Sequence, residues 1–102
     1  MFSLFNKKIR FAIRSYKWST VRKNFLAKNP VCAACGTTKG LEVHHIEPVH
    51  INPDKELDEN NLITLCSSKC HLLFGHLMHF KSWNPSVEED CRAMSQKIKK
   101  RN

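Results

Sequence analysis

The chain has 102 residues, with 17 Lys and Arg against 9 Asp and Glu, a formal charge of +8 when histidines are neutral. Hydrophobic residues make up 41% of it, enough for one folded domain with a modest core and too many for a disordered tail. No run of about 18 apolar residues exists, which excludes a membrane-spanning helix, and Lys7, Lys8 and Arg10 interrupt the apolar part of the N-terminus, so a signal peptide is not expected there.

The first part is a basic arm. Residues 1–41 contain Lys7, Lys8, Arg10, Arg14, Lys17, Arg22, Lys23, Lys28 and Lys39 and no acid at all, and the tail closes with Lys97, Lys99, Lys100 and Arg101. Such segments suit a polyanion through counterion release, with Lys7, Lys8, Arg10, Arg14, Arg22 and Lys23 as candidate nucleic-acid contacts. Phe5, Ile9, Ala12 and Ile13 share one face of a short amphipathic helix. Trp18, Val21 and Phe25 repeat at helical spacing, so a second helix is predicted from about Lys17 to Lys28, ended by Asn29-Pro30. Packing of this arm on the core is favoured over attachment to a membrane surface.

Cysteine spacing says more. Four of the five cysteines form two close pairs, Cys32-x2-Cys35 and Cys66-x3-Cys70. Two such pairs without a secretory context suit a tetrahedral Zn²⁺ site better than disulfides. A core of this size contributes about 3–5 kcal/mol, whereas structural zinc contributes about 10–16 kcal/mol of apparent binding free energy. The metal is therefore expected to be a condition of folding. Cys91 is read as a packing residue.

Between the pairs, Leu41–Ile46 reads as a short strand stopped before Pro48, and Leu57–Leu65 as a polar turn and second strand. His71–Met78 reads as an apolar helix, and Ser86-x-x-Glu89 as a capping box opening a helix to about Lys100. The adjacent His44 and His45, Asn61 before the second strand and His71 at the helix start make a metal-and-base arrangement. His50 and His79 are read as bystanders. Trp18, Phe74 and Trp83 are read as core or as cover for the zinc site, and Lys69 and Lys81 as generic phosphate contacts at most.

Cys32-x2-Cys35, Val43-His44-His45-Ile46, Asn61-Leu62-x-x-Leu65-Cys66 and Cys70-His71 together resemble the HNH nuclease family. With Trp18-Ser19-Thr20-Val21-Arg22-Lys23 ahead of the first pair, the chain looks like the small stand-alone phage members. The resemblance implies an α+β fold: a small zinc-stabilised ββα-metal core with flanking N- and C-terminal helices. One domain is expected, with the arm at 1–30, the core at 31–80, and the C-terminal helix and basic tail at 84–102.

The resemblance implies a metal-dependent DNA endonuclease, with His45 as general base and Asn61 bracing the loop that aims it. His44, His71 and His76 would hold a catalytic divalent ion (Mg²⁺, Mn²⁺, Ni²⁺ or Zn²⁺), and Cys32, Cys35, Cys66 and Cys70 a structural Zn²⁺. His71 and His76 are five residues apart where some members have four, so the helix is overwound or widened near Gly75, or water replaces His76. By resemblance alone the partners are DNA and phage packaging proteins (terminase), in the host cytoplasm and with no membrane. The alternative reading is a zinc-knuckle nucleic-acid-binding module without catalysis. Adjacent strand residues face opposite ways, so His44 and His45 can share one site only if the strand twists or ends there.

Overall fold

The structure, a computed structural model, describes residues 15–101. The helix expected over 5–13 and the candidate contacts Lys7, Lys8, Arg10 and Arg14 lie outside the described residues. The architecture is α+β: helix α1 (Trp18–Lys28), strands β1 (Leu41–His45) and β2 (Leu62–Cys66), a single π-helical turn (His71–Gly75) and helix α2 (Val87–Arg101). No described helix is long and apolar enough to cross a membrane.

Helix α1 ends where the sequence stops it. Asn29 donates both its backbone N–H (2.8 Å) and its side-chain Nδ2 (3.1 Å) to the Phe25 carbonyl. Thr64 Oγ1 then donates to Asn29 O at 2.9 Å, tying the helix end to β2. Gly36 (φ +81°) takes the left-handed conformation that closes the first cysteine loop, with its N–H on Cys32 O at 3.0 Å.

β1 and β2 pair antiparallel with Leu41 opposite Cys66 and His45 opposite Leu62. All five residues of β2 are buried, because it is covered on both faces. Ile63, Leu65 and Cys66 join Cys32, Ala34, Cys70, Val87 and Cys91 in one core, with Phe74 and Met94 packed against it. The core is therefore built around the cysteines. α2 packs on the π-helical turn, and both strands touch that turn as well.

The start of α2 departs from the expected capping box. Its hydrogen bonds come from Asn84: Oδ1 accepts from Ser86 N (2.9 Å), and the carbonyl accepts from Val87 N (3.2 Å). Asn84 Nδ2 also donates to Phe74 O (2.9 Å) and Asp90 Oδ2 (2.7 Å). Asn84, only 4% exposed, replaces the Ser86–Glu89 pair because it sits where the incoming chain meets the π-helical turn and can satisfy both.

Candidate metal centres and the cleft between them and solvent

Two side-chain clusters are brought together by the fold: Cys32, Cys35, Cys66 and Cys70, and His44, His71 and His76. In each, the potential ligand atoms lie within 4.8 Å of one another.

The sulfur cluster comes from two knuckles. Cys35 N–H points to Cys32 Sγ (3.5 Å) and Cys70 N–H to Cys66 Sγ (3.4 Å), the backbone support a thiolate needs. Ala33 N donates to Thr64 O at 2.9 Å and fastens the first knuckle to β2. Cys35 Sγ and Cys66 Sγ are 3.8 Å apart, the edge of a tetrahedron whose arms are about 2.3 Å.

Electrostatics point the same way. Burial opposes the Cys66 thiolate, but donation from Cys70 N–H, the Ser68 hydroxyl and the Lys69 backbone outweighs it and brings its pKa down to about 6. Burial, with a second anion so close, pushes the Cys70 thiol far up. Against burial, backbone N–H donation lowers the Cys32 pKa as well, whereas burial raises that of Cys35. Two thiolates are thus favoured and two are resisted; a cation shared by all four sulfurs would let them ionise together. Cys91, 1% exposed, lies in the same core but outside the four-sulfur cluster.

The imidazole cluster is assembled from β1 and the π-helical turn. His44 Nδ1 lies 3.1 Å from His71 Nε2, which lies 3.2 Å from His76 Nε2. Tautomers follow from the outer atoms. His76 Nδ1 meets the Ser82 carbonyl at 2.8 Å, so that nitrogen carries the proton and Nε2 a lone pair. Glu42 Oε2, 3.7 Å from His71 Nδ1, draws the proton to that side too.

Lone pairs thus face each other at distances close to the roughly 3.3–3.4 Å edge of a tetrahedron with nitrogen arms of about 2.0–2.1 Å. A proton is a poor substitute for a metal here. Burial first, then His71, His76 and His45, lower the His44 pKa to about 3, and burial lowers that of His71. Among the described residues the buried His44 Nε2 has no hydrogen-bond partner. This donor set fits a divalent transition ion.

The π-helical turn explains the five-residue spacing. It is wider than an α-turn, so His71 and His76 face the same point; of the alternatives left open by sequence, the helix is widened. Gly75 is where His44 needs space: a Cβ there would meet the ring at 3.0–3.2 Å.

His44 and His45 do turn to opposite sides of β1. His45, on the other face, stacks on Trp18 with ring centroids 4.5 Å apart, and its Nε2–H donates to Glu56 O at 2.9 Å. Both nevertheless line one cleft of about 440 Å³, because the strand ends at His45. Trp18 therefore covers His45, a correction to its reading as cover for the zinc site. The helix faces both the strand end and the loop that follows it.

Asn61, 5% exposed, pins that loop: Oδ1 accepts from Glu47 N (2.8 Å), and Nδ2 donates to Glu47 O (3.0 Å) and Lys55 O (3.3 Å). Arg22 and Lys23 lie exposed on α1. His50, Lys81 and Trp83 line the cleft, whereas His79 does not. Sequence reasoning missed Glu42, Phe80 and Asn84, and it placed Gly75 at the widened turn without its contact to His44. The only signal for Glu42 was its place two residues before His44 on a strand, hence on the same face.

A two-stranded hairpin with a helical turn packed on it, a four-sulfur cluster and converging imidazoles make a small domain with two candidate metal sites. The family model for HNH endonuclease matches residues 32–76, a similarity that points to nuclease or nucleic-acid-binding function. No curated protein and no solved structure matches the chain.

Proposed function

We propose that the chain is a metal-dependent DNA endonuclease of low sequence specificity. The observation that carries this reading is His45, buried beside the imidazole cluster with its Nε2–H held by the Glu56 carbonyl. That hydrogen bond fixes the tautomer in which Nδ1 is the basic nitrogen, and Trp18 holds the ring plane. His45 then removes a proton from water, and the hydroxide attacks the scissile phosphorus in line, leaving 5′-phosphate and 3′-hydroxyl ends. General-base assistance of this kind contributes about 10²–10⁴ in rate.

His44, His71 and His76 would hold the divalent ion, which when bound supplies Lewis-acid stabilisation of charge on the phosphoryl and departing oxygens. Asn61 keeps the Glu47–Lys55 loop closed, and that loop runs on to Glu56. The four cysteines would hold structural zinc. Arg22 and Lys23, with the basic residues preceding α1, supply non-specific phosphate contacts whose strength falls with salt. A phage origin, with packaging proteins as partners in the host cytoplasm, belongs to the same proposal and rests on the resemblance to small phage HNH proteins.

Nicking of supercoiled plasmid with Mg²⁺, Mn²⁺ or Ni²⁺, and with chelator, tests the reading. Wild type is expected to cut and His45→Ala to lose nearly all cutting while DNA affinity barely moves. If both proteins bind DNA and neither cuts with any ion, the chain is a non-catalytic zinc-knuckle binder.

A further inference from the structure

Phe80 is 68% exposed, yet its position is fixed. It sits in a tight turn closed by Ser82 N donating to His79 O (2.8 Å). Both ends of that turn are fastened to His76: His79 N donates to His76 O (3.1 Å), and His76 Nδ1 to Ser82 O (2.8 Å). The ring lies 5.2 Å from the His76 ring and 6.3 Å from the His71 ring, centroid to centroid. The backbone leading into it is strained, with Leu77 at φ 53° and Met78 at φ 72°. A large apolar ring is thus held out of the core at the rim of the cleft that contains the histidines, beside Lys81 and Trp83.

We propose that Phe80 is a stacking platform for an unpaired base next to the phosphate held in the cleft, so that locally unpaired DNA is the preferred substrate. This deepens the nuclease reading and rests on it. Charge decides the class of partner: a chain of +8 with Lys81 next to the ring favours a polyanion. Position decides the mode of contact, since the exposed ring lines the same cleft as the imidazoles, 5.2 Å from the His76 ring. In intact duplex both faces of each base are already stacked on neighbours, whereas an unpaired base offers its face to an aromatic ring whatever its identity. Pre-organisation adds to this, because a ring already fixed by the turn loses little freedom on contact.

The test is fluorescence anisotropy with His45→Ala protein, so that no strand is cut, on labelled duplex and on the same duplex carrying a short unpaired bubble. The bubble is expected to bind about fivefold to a hundredfold more tightly, the range for one base–aromatic stack. Adding Phe80→Leu, which keeps an apolar cover over His76 but has no π-face, is expected to abolish the preference, and Phe80→Trp to retain it. Replacing the stacked base by an abasic site should cost as much as Phe80→Leu and add nothing to it. Metal content, measured on each variant, is expected to stay at two ions per chain.

Equal affinity for duplex and bubble overturns the proposal, as does a preference that survives Phe80→Leu. A wild-type protein that prefers bubbles through Phe80 and cuts nothing removes the nuclease reading and leaves the stacking platform standing. A protein that cuts duplex and bubble alike, with Phe80→Leu unaffected, does the reverse.

Discussion

His71 and His76, five residues apart, bring their Nε2 atoms to 3.2 Å because one π-helical turn lies between them. In an α-helix residues five apart are rotated by about 140° from one another, whereas i and i+4 share a face. The extra residue is accommodated in the backbone, and the wider turn brings Gly75 under the His44 ring.

That contact makes the first prediction. Gly75 has an ordinary φ, so alanine is allowed by its backbone; only the His44 ring, at 3.0 Å from the added Cβ, excludes it. Gly75→Ala is expected to displace His44 and lose the imidazole-bound ion, while the sulfur-bound ion stays. Native mass spectrometry should count one metal per chain in place of two. Aspartate carries its oxygen on Cγ, as histidine carries Nδ1, but lacks the outer ring atoms that collide. His44→Asp in the Gly75→Ala background is therefore expected to restore the second ion, and two ions in Gly75→Ala alone would refute the argument.

Glu42 tests the outer support of the same centre. Its carboxylate, 3.7 Å from His71 Nδ1, keeps the proton on the outer nitrogen and makes Nε2 a better donor. Changes to such partners cost about 10–100-fold in metal affinity. Glu42→Ala is expected near the upper end and Glu42→Gln, which still accepts a hydrogen bond, near the lower. Calorimetric titration of Ni²⁺ or Co²⁺ into zinc-loaded protein measures it, and affinity unchanged in both variants would show that Glu42 only fills space.

Asn61 links stability to the proposed base. Asn61→Ala leaves Glu47 N–H and O without their partner and removes one of the two donors to Lys55 O, which keeps Asp58 N–H. A fully buried group left unsatisfied costs about 1–3 kcal/mol, and the two Glu47 groups are half-buried and fall at the lower end. A domain of this size loses about 4–8 °C in Tm per kcal/mol. A fall of about 5 °C or more is expected on thermal denaturation, with plasmid nicking lost at temperatures where the variant is still folded. Full nicking by a folded Asn61→Ala protein would separate the loop from His45.

What could be read from the sequence were features with a period or a spacing. The two cysteine pairs, the helix over 18–28 and the alternation around His44 and His45 are of this kind, as is the separation of His44 from His45 across the strand. What could not be read depends on backbone atoms and on packing. The carbonyls of Glu56 and Ser82 fix two histidine tautomers, and any residue type could provide them. The π-helical turn shows in sequence only as an odd spacing, and the choice between widening and water substitution needed the His44 ring in place. The pattern Ser86-x-x-Glu89 was present, but Asn84 took its role, because a buried amide that satisfies Phe74, Ser86 and Asp90 together outcompetes an exposed cap. Phe80 has no sequence signature either, since its exposure comes from a turn fastened to His76.

The sulfur cluster is expected to decide whether the chain folds at all. Among the described residues, and apart from the cysteines themselves, the fully buried part of the core around it consists of Ala34, Ile63, Leu65 and Val87, with Leu41, Ile46, Phe74 and Met94 packed against it. This is a small core of the kind that contributes about 3–5 kcal/mol. Removing a zinc ion contributing about 10–16 kcal/mol should therefore unfold it. A strong zinc chelator, or Cys66→Ser, is expected to abolish the cooperative thermal transition seen by circular dichroism. Cys91→Ala provides the control: equally buried in the same core but outside the cluster, it loses one sulfur's packing, about 1 kcal/mol, and keeps both ions. A chelated chain that still melts cooperatively would show that the thiols hold the core by packing alone, and Cys66 and Cys91 would then behave alike.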